Sequence, residues 1–246
     1  MLIDVINSPG SKAALSGKFD VIVIDVLRAS ATIITALKNC ASGVIPAGSV
    51  REAAALRKNF PKGKVLLGGE RKGRKVRGFD LGNSPFEYTK KKVEGRVLIL
   101  ATSNGTKAVG RFKARHNVYI GTFRNLSSLA EYLLKRKRNI VIACSGRQGA
   151  RSLEDTVCAG MFVSRYLKSR PAFLSPGAAD ALMLYASYRG KTARLASDSP
   201  HAVYLKSLGF DRDIPYCLKT DCDGIIPRYD RRSGLITAVP EPDVKK

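Results

Sequence analysis

The chain has 246 residues, 44% of them hydrophobic, enough for one large α/β domain or two small ones. Its 43 Lys+Arg against 20 Asp+Glu leave a net charge of +23, a field suited to nucleic acid, an anionic membrane surface or a polyanionic substrate. No apolar run reaches the ~18 residues of a membrane-spanning helix, and Met1-Leu2-Ile3-Asp4-Val5 shows no basic segment leading into an apolar stretch, so no secretory signal is expected.

Val21-Ile22-Val23-Ile24 is a continuous β-branched run, as expected of a strand buried on both faces. A loop from Asp25 to Ser30 follows, and Ile33, Ile34 and Leu37 then recur at helical spacing, with Gly43 placed to end the helix. Val44-Ile45-Pro46 reads as a short strand and Ser49-Val50-Arg51-Glu52 as a capping box. Val65-Leu66-Leu67 leads into a glycine-rich loop over 68–83, and Ser84-Pro85-Phe86-Glu87 carries the N-cap, first-turn proline and third-position glutamate of a helix start. Val97-Leu98-Ile99-Leu100, Val118-Tyr119-Ile120 and Ile140-Val141-Ile142 predict further strands. Leu126, Leu129, Leu133 and Leu134 mark one helix, a long one runs from about 153 to 168, and two more open at Ser175-Pro176 and Ser199-Pro200. The tail has short extended pieces at Ile225-Ile226 and 235–239, with a turn at 230–234. This alternation predicts an α/β fold, a three-layer α/β/α unit whose largely parallel sheet has helices on both faces. The chain reads as one domain over 1–246. Strand–loop–helix units at 21–40, 97–113 and 140–168 hint at an internal structural duplication, whose lobes would divide at about 1–125 and 126–246.

The five cysteines, Cys40, Cys144, Cys158, Cys217 and Cys222, form no CxxC pair. With only His116 and His201 to join them, they read as free thiols in a reducing cytoplasm rather than a zinc site. The basic residues fall in short clusters, at 71–77, 90–92 and 135–138, each most simply a solvated surface.

In sheets of this kind ligands bind at the carboxyl ends of the strands, where helix N-termini offer free N–H groups. The first such loop is Asp25-Val26-Leu27-Arg28-Ala29-Ser30-Ala31-Thr32. A carboxylate directly after an apolar strand can hold a metal or attack phosphorus. Arg28 can grip a phosphate or carboxylate bidentately, and Ser30 can donate to an anion or simply cap the helix. The second loop is Gly68-Gly69-Glu70-Arg71, continuing to Gly78-Phe79-Asp80-Leu81-Gly82-Asn83-Ser84-Pro85, with glycines where backbone would approach a ligand. A surface ion pair is the plainer reading of Glu70, and the capping box accounts for Glu87. The third, Thr102-Ser103-Asn104-Gly105-Thr106, is a hydroxyl-and-amide nest suited to phosphate oxygens; Lys107 follows it, without a P-loop frame. The fourth is Ser145-Gly146-Arg147-Gln148-Gly149, with Glu154 and Asp155 beyond; a capping box from Ser152 explains Asp155 equally well.

Two familiar phosphatase chemistries fail on spacing. Haloacid-dehalogenase-type enzymes place a second Asp two residues after the nucleophile, where this chain has Leu27. Cysteine phosphatases need Cys-x5-Arg, and from Cys144 that position is Ala150, with Arg151 one residue late.

As a set, the loops resemble the 2-phosphosulfolactate phosphatase family. The matching segments are Asp25-Val26-Leu27-Arg28-Ala29-Ser30, Gly68-Gly69-Glu70-Arg71, Gly78-Phe79-Asp80-Leu81-Gly82-Asn83-Ser84-Pro85, Ser103-Asn104-Gly105-Thr106 and Leu153-Glu154-Asp155-Thr156-Val157-Cys158-Ala159-Gly160, in the family's order. Ser199-Pro200-His201 and the tail match more loosely, and Ser103 stands where the family often has threonine. The resemblance implies Mg2+-dependent hydrolysis of (2R)-2-phospho-3-sulfolactate to (2R)-3-sulfolactate and phosphate, a step of coenzyme M biosynthesis. On that reading Asp25, Arg28, Glu70 and Arg71 are catalytic, and Ser30, Thr32, Asn83, Ser103, Asn104, Gly105, Thr106, Gly146 and Arg147 bind substrate and phosphate. Two or three of Asp25, Glu70, Asp80, Glu154 and Asp155 would hold the metal, because Mg2+ takes oxygen ligands and keeps waters. Whether Asp25 attacks phosphorus or only binds metal stays open. So does the choice among phosphorylated 2-hydroxy acids, since a charge of +23 is not expected of every family member.

The implied partner is a small anionic phosphoester, with no membrane, and a homodimer is kept open. A basic nucleic-acid-binding protein is the rival reading, and would show steep salt dependence and a clustered basic stripe. No RNP, KH or helix-turn-helix signature appears, so nucleic acid is disfavoured. A synthase or transferase on the same loops would need a second substrate.

Overall fold

The computed structural model describes residues 1–8, 17–114 and 116–240. Its strands are β1 (Leu2–Ile6), β2 (Asp20–Ile24), β3 (Gly43–Pro46), β4 (Val65–Arg71), β5 (Arg74–Lys75), β6 (Val97–Ala101), β7 (Asn117–Gly121), β8 (Ile140–Cys144), β9 (Phe173–Leu174), β10 (Pro227–Tyr229) and β11 (Ile236–Ala238). The helices are α1 (Ala29–Lys38), α2 (Val50–Arg57), α3 (Lys90–Val93), α4 (Gly105–Phe112), α5 (Leu126–Arg136), α6 (Leu153–Ser169), α7 (Pro176–Tyr188), α8 (Leu195–Asp198), α9 (Pro200–Ser207) and α10 (Asp213–Leu218). The fold is α/β with a large, mostly parallel sheet, as the alternating pattern predicts.

The sheet runs β5-β4-β6-β3-β11-β10-β7-β2-β8-β1-β9. Two parallel groups, β4-β6-β3 and β7-β2-β8-β1-β9, are joined by the antiparallel hairpin β10–β11. In the strand ladder the hairpin pairs with each group at one position, Ile236 with Val44 and Arg228 with Tyr119. Strands from either side of residue 125 interleave, β1 lying between β8 and β9 and the β10–β11 hairpin between β3 and β7, so the sheet is not divided at that position.

The β-branched run of β2 feeds both faces, as its pattern requires. Ile22 and Ile24 join a core with α5, α6 and α7, while Val21 and Val23 join one with α1 and α4. The second core also takes Val44, Leu98 and Leu100 from the other parallel group, so the two groups share one apolar face. That sharing lets loops from strands far apart in the sheet order meet.

Ser49 caps α2 through the Glu52 N–H at 3.0 Å, and the Glu52 carboxylate accepts the Gly48 N–H at 2.8 Å. Elsewhere the local signals are diverted. Only a short 3-10 turn forms at Pro85–Glu87, because the Ser84 hydroxyl bonds Asp213 at 2.7 Å instead of capping. Glu87 binds the Gly82 N–H at 2.7 Å. Gly43 opens β3 rather than ending α1, and the left-handed residue there is Cys40, at φ 64°. Strands β1 and β9, at one end of the sheet, carry no alternation or turn signal that marks them in advance.

Helices α6 and α7 pack closely at Gly160, where a Cβ would overlap the Ala181 carbonyl and lie 2.8 Å from the Tyr185 Cβ. Because the obstacle is backbone, it has no rotamer by which to yield. Gly160→Ala should therefore lower stability by at least about 2–3 kcal/mol in urea unfolding, at the upper end for overpacking. A loss within about 0.5 kcal/mol would show that the two helices can separate freely.

Candidate active site

The loops after β2, β4, β6 and β8 meet over a cleft of about 660 Å3, a size ordinary for small-molecule sites. Asp25, Arg28, Glu70, Asn83, Ser103, Asn104 and Arg147 line it, seven of the residues expected from sequence. Lys72, Gly73, Lys107, Gln148, His201 and Tyr204 line it as well.

Asp25 sits at the end of β2, where Oδ1 accepts the Ala29 N–H at 3.3 Å and the Asp25 N–H donates to Ser30 Oγ at 3.0 Å. Its Oδ2 lies against Gly105, where a Cβ would stand 2.7 Å from that oxygen and 3.0 Å from the Ala29 Cβ. Glycine at 105 thus lets α4 start directly beside the carboxylate. Oδ2 takes no hydrogen bond from any described residue. Burial pushes the Asp25 carboxyl up to about 6; the charges of Glu70 and Glu154 add to this, and His201 and the Ala29 N–H oppose it.

The other acids are largely engaged. Glu70 accepts the Ser103 and Gly73 N–H groups, both at 2.8 Å, and so locks the β4 turn to the β6 loop. Asp155 accepts Val26 N–H at 2.9 Å and Gly146 N–H at 3.1 Å, fixing the first and fourth loops to each other. Burial, with the charges of Glu154 and Asp25, holds its carboxyl well above the usual range. Ser152 does cap α6 through the Asp155 N–H at 3.3 Å, but the Asp155 carboxylate reaches across to the site rather than back to the cap. Glu154 accepts Ser199 Oγ–H at 2.7 Å and lies 3.1 Å from His201 Nδ1. Burial acts to raise its carboxyl, but the hydrogen bond and charge of His201 and the Ser199 hydroxyl bring it below the usual range. Asp80 lies elsewhere: it accepts the Leu67 N–H at 2.7 Å and pairs with Arg57 at 3.4 Å near the surface, a turn-closing role.

Arg28 differs most from its expected role as a free phosphate clamp. It is 1% exposed, with Nη1 on Asp213 Oδ2 at 2.5 Å, Nη2 on the Gly73 carbonyl at 2.7 Å, and its plane 4.0 Å from the Phe210 ring centroid. It borders the cleft as part of the wall. Arg71 likewise points to main-chain oxygens, of Glu70 at 2.7 Å and Ala101 at 3.3 Å. Thr32 donates to the Asn83 carbonyl at 2.8 Å, and Thr106 and Thr102 exchange bonds at 3.2–3.3 Å across the α4 start. Ser30, Thr32, Thr106 and Gly146 therefore shape the loops from behind.

The cations facing the cleft are Lys72, Lys107 and Arg147. Arg147 stacks 4.6 Å over Tyr204, and the Tyr204 hydroxyl donates to the Lys72 carbonyl at 3.1 Å, which ties α9 to the rim. Asn83 is 5% exposed, and its Oδ1 is buried without a partner. Among the described residues no three His, Cys, Asp or Glu side chains gather as a ready metal cage. Mg2+ does not need one, since it keeps several waters and binds through one or two carboxylates plus substrate oxygens. Asp25 Oδ2 and Asn83 Oδ1 are hard oxygens open to such a use.

His201 is the main residue that the strand-end argument does not single out. Its sequence signals are the Ser199-Pro200 helix start, which sets it in the first turn of α9, and the looser family match of Ser199-Pro200-His201.

A cleft lined by cations at the carboxyl ends of a largely parallel sheet, with a buried carboxylate open to it, is the place where an α/β enzyme binds its ligand. The model of the 2-phosphosulpholactate phosphatase family matches residues 9–232, which include every cleft residue named above. A protein of Thermotoga petrophila named "Probable 2-phosphosulfolactate phosphatase" is 40% identical over 226 residues, 92% of this chain and 94% of its own length. Relatives of the same name in Caldanaerobacter subterraneus (40%, over 88% of this chain and 89% of the relative) and Clostridium perfringens (40%, over 97% of each) are similar throughout. The chain belongs to the 2-phosphosulfolactate phosphatase family, and is a phosphatase acting on a phosphoester.

Two outcomes follow from this geometry. Asp25 titrates near 6 in the folded chain against 3.8 ordinarily, so the folded state keeps a proton that the unfolded chain has lost between about pH 4 and pH 6. Stability falls as pH rises through that window, and above it the ionised group costs about 3 kcal/mol. In metal-free buffer Asp25→Asn should melt a few degrees above the unmodified chain at about pH 8 and together with it near pH 4. A lower melting temperature at about pH 8 would mean the fold itself compensates that charge. Separately, Asp213→Asn leaves the buried Arg28 without its counter-ion and should cost about 3–5 kcal/mol in chemical unfolding. A cost below about 1 kcal/mol would return Arg28 to the list of free substrate-binding cations.

Proposed function

We propose that the chain hydrolyses (2R)-2-phospho-3-sulfolactate to (2R)-3-sulfolactate and phosphate with Mg2+ as cofactor, a reaction of the coenzyme M biosynthesis type. The observation that carries this reading is the pairing, in one cleft, of the open Asp25 carboxylate with the cations Lys72, Lys107 and Arg147. A substrate bearing phosphate, carboxylate and sulfonate needs several positive groups, and a nucleophile reaches its phosphorus only where that charge is offset. Asp25 and the Asn83 side-chain oxygen would hold the ion, with Glu70 supporting the loop between them. Bound Mg2+ would neutralise phosphoryl charge in the transition state. Ser103 and Asn104, at the start of α4, face the same space and offer polar groups for phosphate oxygens. We place the enzyme in the reducing cytoplasm, in keeping with five free cysteines.

The test is phosphate release from 2-phosphosulfolactate with Mg2+ or with chelator. Activity should vanish on chelation and return with Mg2+, and Asp25→Asn should lower turnover by at least about 10²–10³-fold. Full activity in chelator would remove the metal. Faster turnover of another phosphorylated 2-hydroxy acid would reassign the substrate.

A further inference from the structure

We infer that His201 is the general acid of this cleft, donating a proton from Nε2 to the ester oxygen of the departing hydroxy acid, with Glu154 and Ser199 as its positioning residues. The inference rests on the reading of the cleft as a phosphoester-hydrolysing site. Neither the family match nor the relatives' names assign a role to these residues.

The argument starts at Glu154. It is 1% exposed, and its carboxylate accepts the Ser199 hydroxyl on one oxygen while the other faces His201. Facing that carboxylate at 3.1 Å, His201 Nδ1 is placed to donate. The ring orientation and tautomer are thereby fixed, a role that carboxylates play behind many working histidines. Ser199 completes the support, because its hydroxyl donates to Glu154 at 2.7 Å while its oxygen accepts the His201 and Ala202 N–H groups at 3.1 and 3.2 Å. Side chain and backbone of His201 are thus held by the same two residues. With Nδ1 engaged, Nε2 is the nitrogen left without a described partner, and His201 borders the cleft with Asp25 and Arg147. Among described residues His201 is the only histidine on that cleft.

The chemistry requires such a group. An aliphatic ester oxygen departs as a strongly basic alkoxide unless it is protonated as the bond breaks. The bond from phosphorus to the ester oxygen breaks with its electron pair going to that oxygen, and the Nε2 proton joins it to give the free hydroxyl. Water supplies the oxygen that phosphorus gains overall. One water proton reloads Nε2 and the other stays on the phosphate, so the cycle closes without any further reactant.

The experiment compares turnover across phosphomonoesters that the unmodified chain hydrolyses, from aliphatic esters to p-nitrophenyl phosphate, whose leaving group departs without an acid. For His201→Gln the loss should be about 10²–10⁴-fold on aliphatic esters and should shrink steadily as the leaving group becomes more acidic. Glu154→Gln keeps an acceptor for Nδ1 but loses its charge, and should show a smaller loss with the same leaving-group trend. Equal losses on all esters, or no loss on any, would overturn the assignment. Failure on 2-phosphosulfolactate alone would overturn the substrate reading and leave the leaving-group trend to judge His201. A chain releasing phosphate from no ester would overturn both.

Discussion

The Arg28–Asp213 ion pair is the interaction on which the cleft depends. Both side chains are almost wholly buried, so the attraction is strong and its loss would leave a charge where water cannot reach it. Asp213 also accepts the Ser84 hydroxyl, and Arg28 also binds the Gly73 carbonyl. One charge pair therefore joins the loop after β2, the β4–β5 turn, the segment beside Asn83 and helix α10. Those segments are far apart in sequence and would drift independently without it. Asp25 lies three residues before Arg28, and its position is set by this anchor as much as by the strand that precedes it. The buried fork is well used here: planar donors in a fixed geometry can satisfy a carboxylate and a carbonyl together, as an ammonium cannot.

A second constraint follows from the acids gathered around that anchor. Glu70, Glu154 and Asp155 each spend both oxygens on backbone N–H groups, Ser199 or His201, and those bonds hold the loops in register. Asp25 alone among them keeps an oxygen without a described partner, and burial, with the charges of Glu70 and Glu154, raises its carboxyl. The division of labour is physical. Acids with full hydrogen-bond shells build the site, and the acid without one is where a cation or a phosphorus centre would complete the shell.

How much of this was legible in the sequence depends on range. The apolar runs of β2, β6 and β8, and the small-residue loops after them, are local signals, and each lies where the pattern puts it. Seven expected residues reach the cleft because strand ends are good predictors of ligand sites. The errors arise where a long-range partner takes a group away from its local use. Ser84 bonds Asp213, 129 residues on, in place of capping; Arg28 bonds the same Asp213, 185 residues on, in place of standing free to grip a substrate anion. His201 meets Glu154 across 47 residues, and nothing next to either in sequence announces the other. The joining hairpin β10–β11 lies close to the expected tail pieces, with β11 inside 235–239, β10 just after Ile225-Ile226 and the turn at 230–234, but its place between the two parallel groups was not legible. In the strand ladder it pairs with each parallel group at one position, too little to impose an alternation on three-residue strands.

The net charge of +23 belongs to a different level of the argument from the site. A field from dispersed surface cations raises the encounter rate of any polyanion and fades over about 8–10 Å at ordinary ionic strength, so it cannot choose among substrates. Choice requires groups held in place. Lys72 and Lys107 are exposed, long and without a fixed ion-pair partner, whereas Arg147 is held over Tyr204 and His201 is held by Glu154. The lysines can follow an anion into the cleft and adapt to its shape. The held groups instead fix where one particular oxygen of it must lie. A surface rich in positive charge would thus gather anions without discrimination, and on the proposed reading the fixed groups around Asp25 would decide which of them is positioned to react.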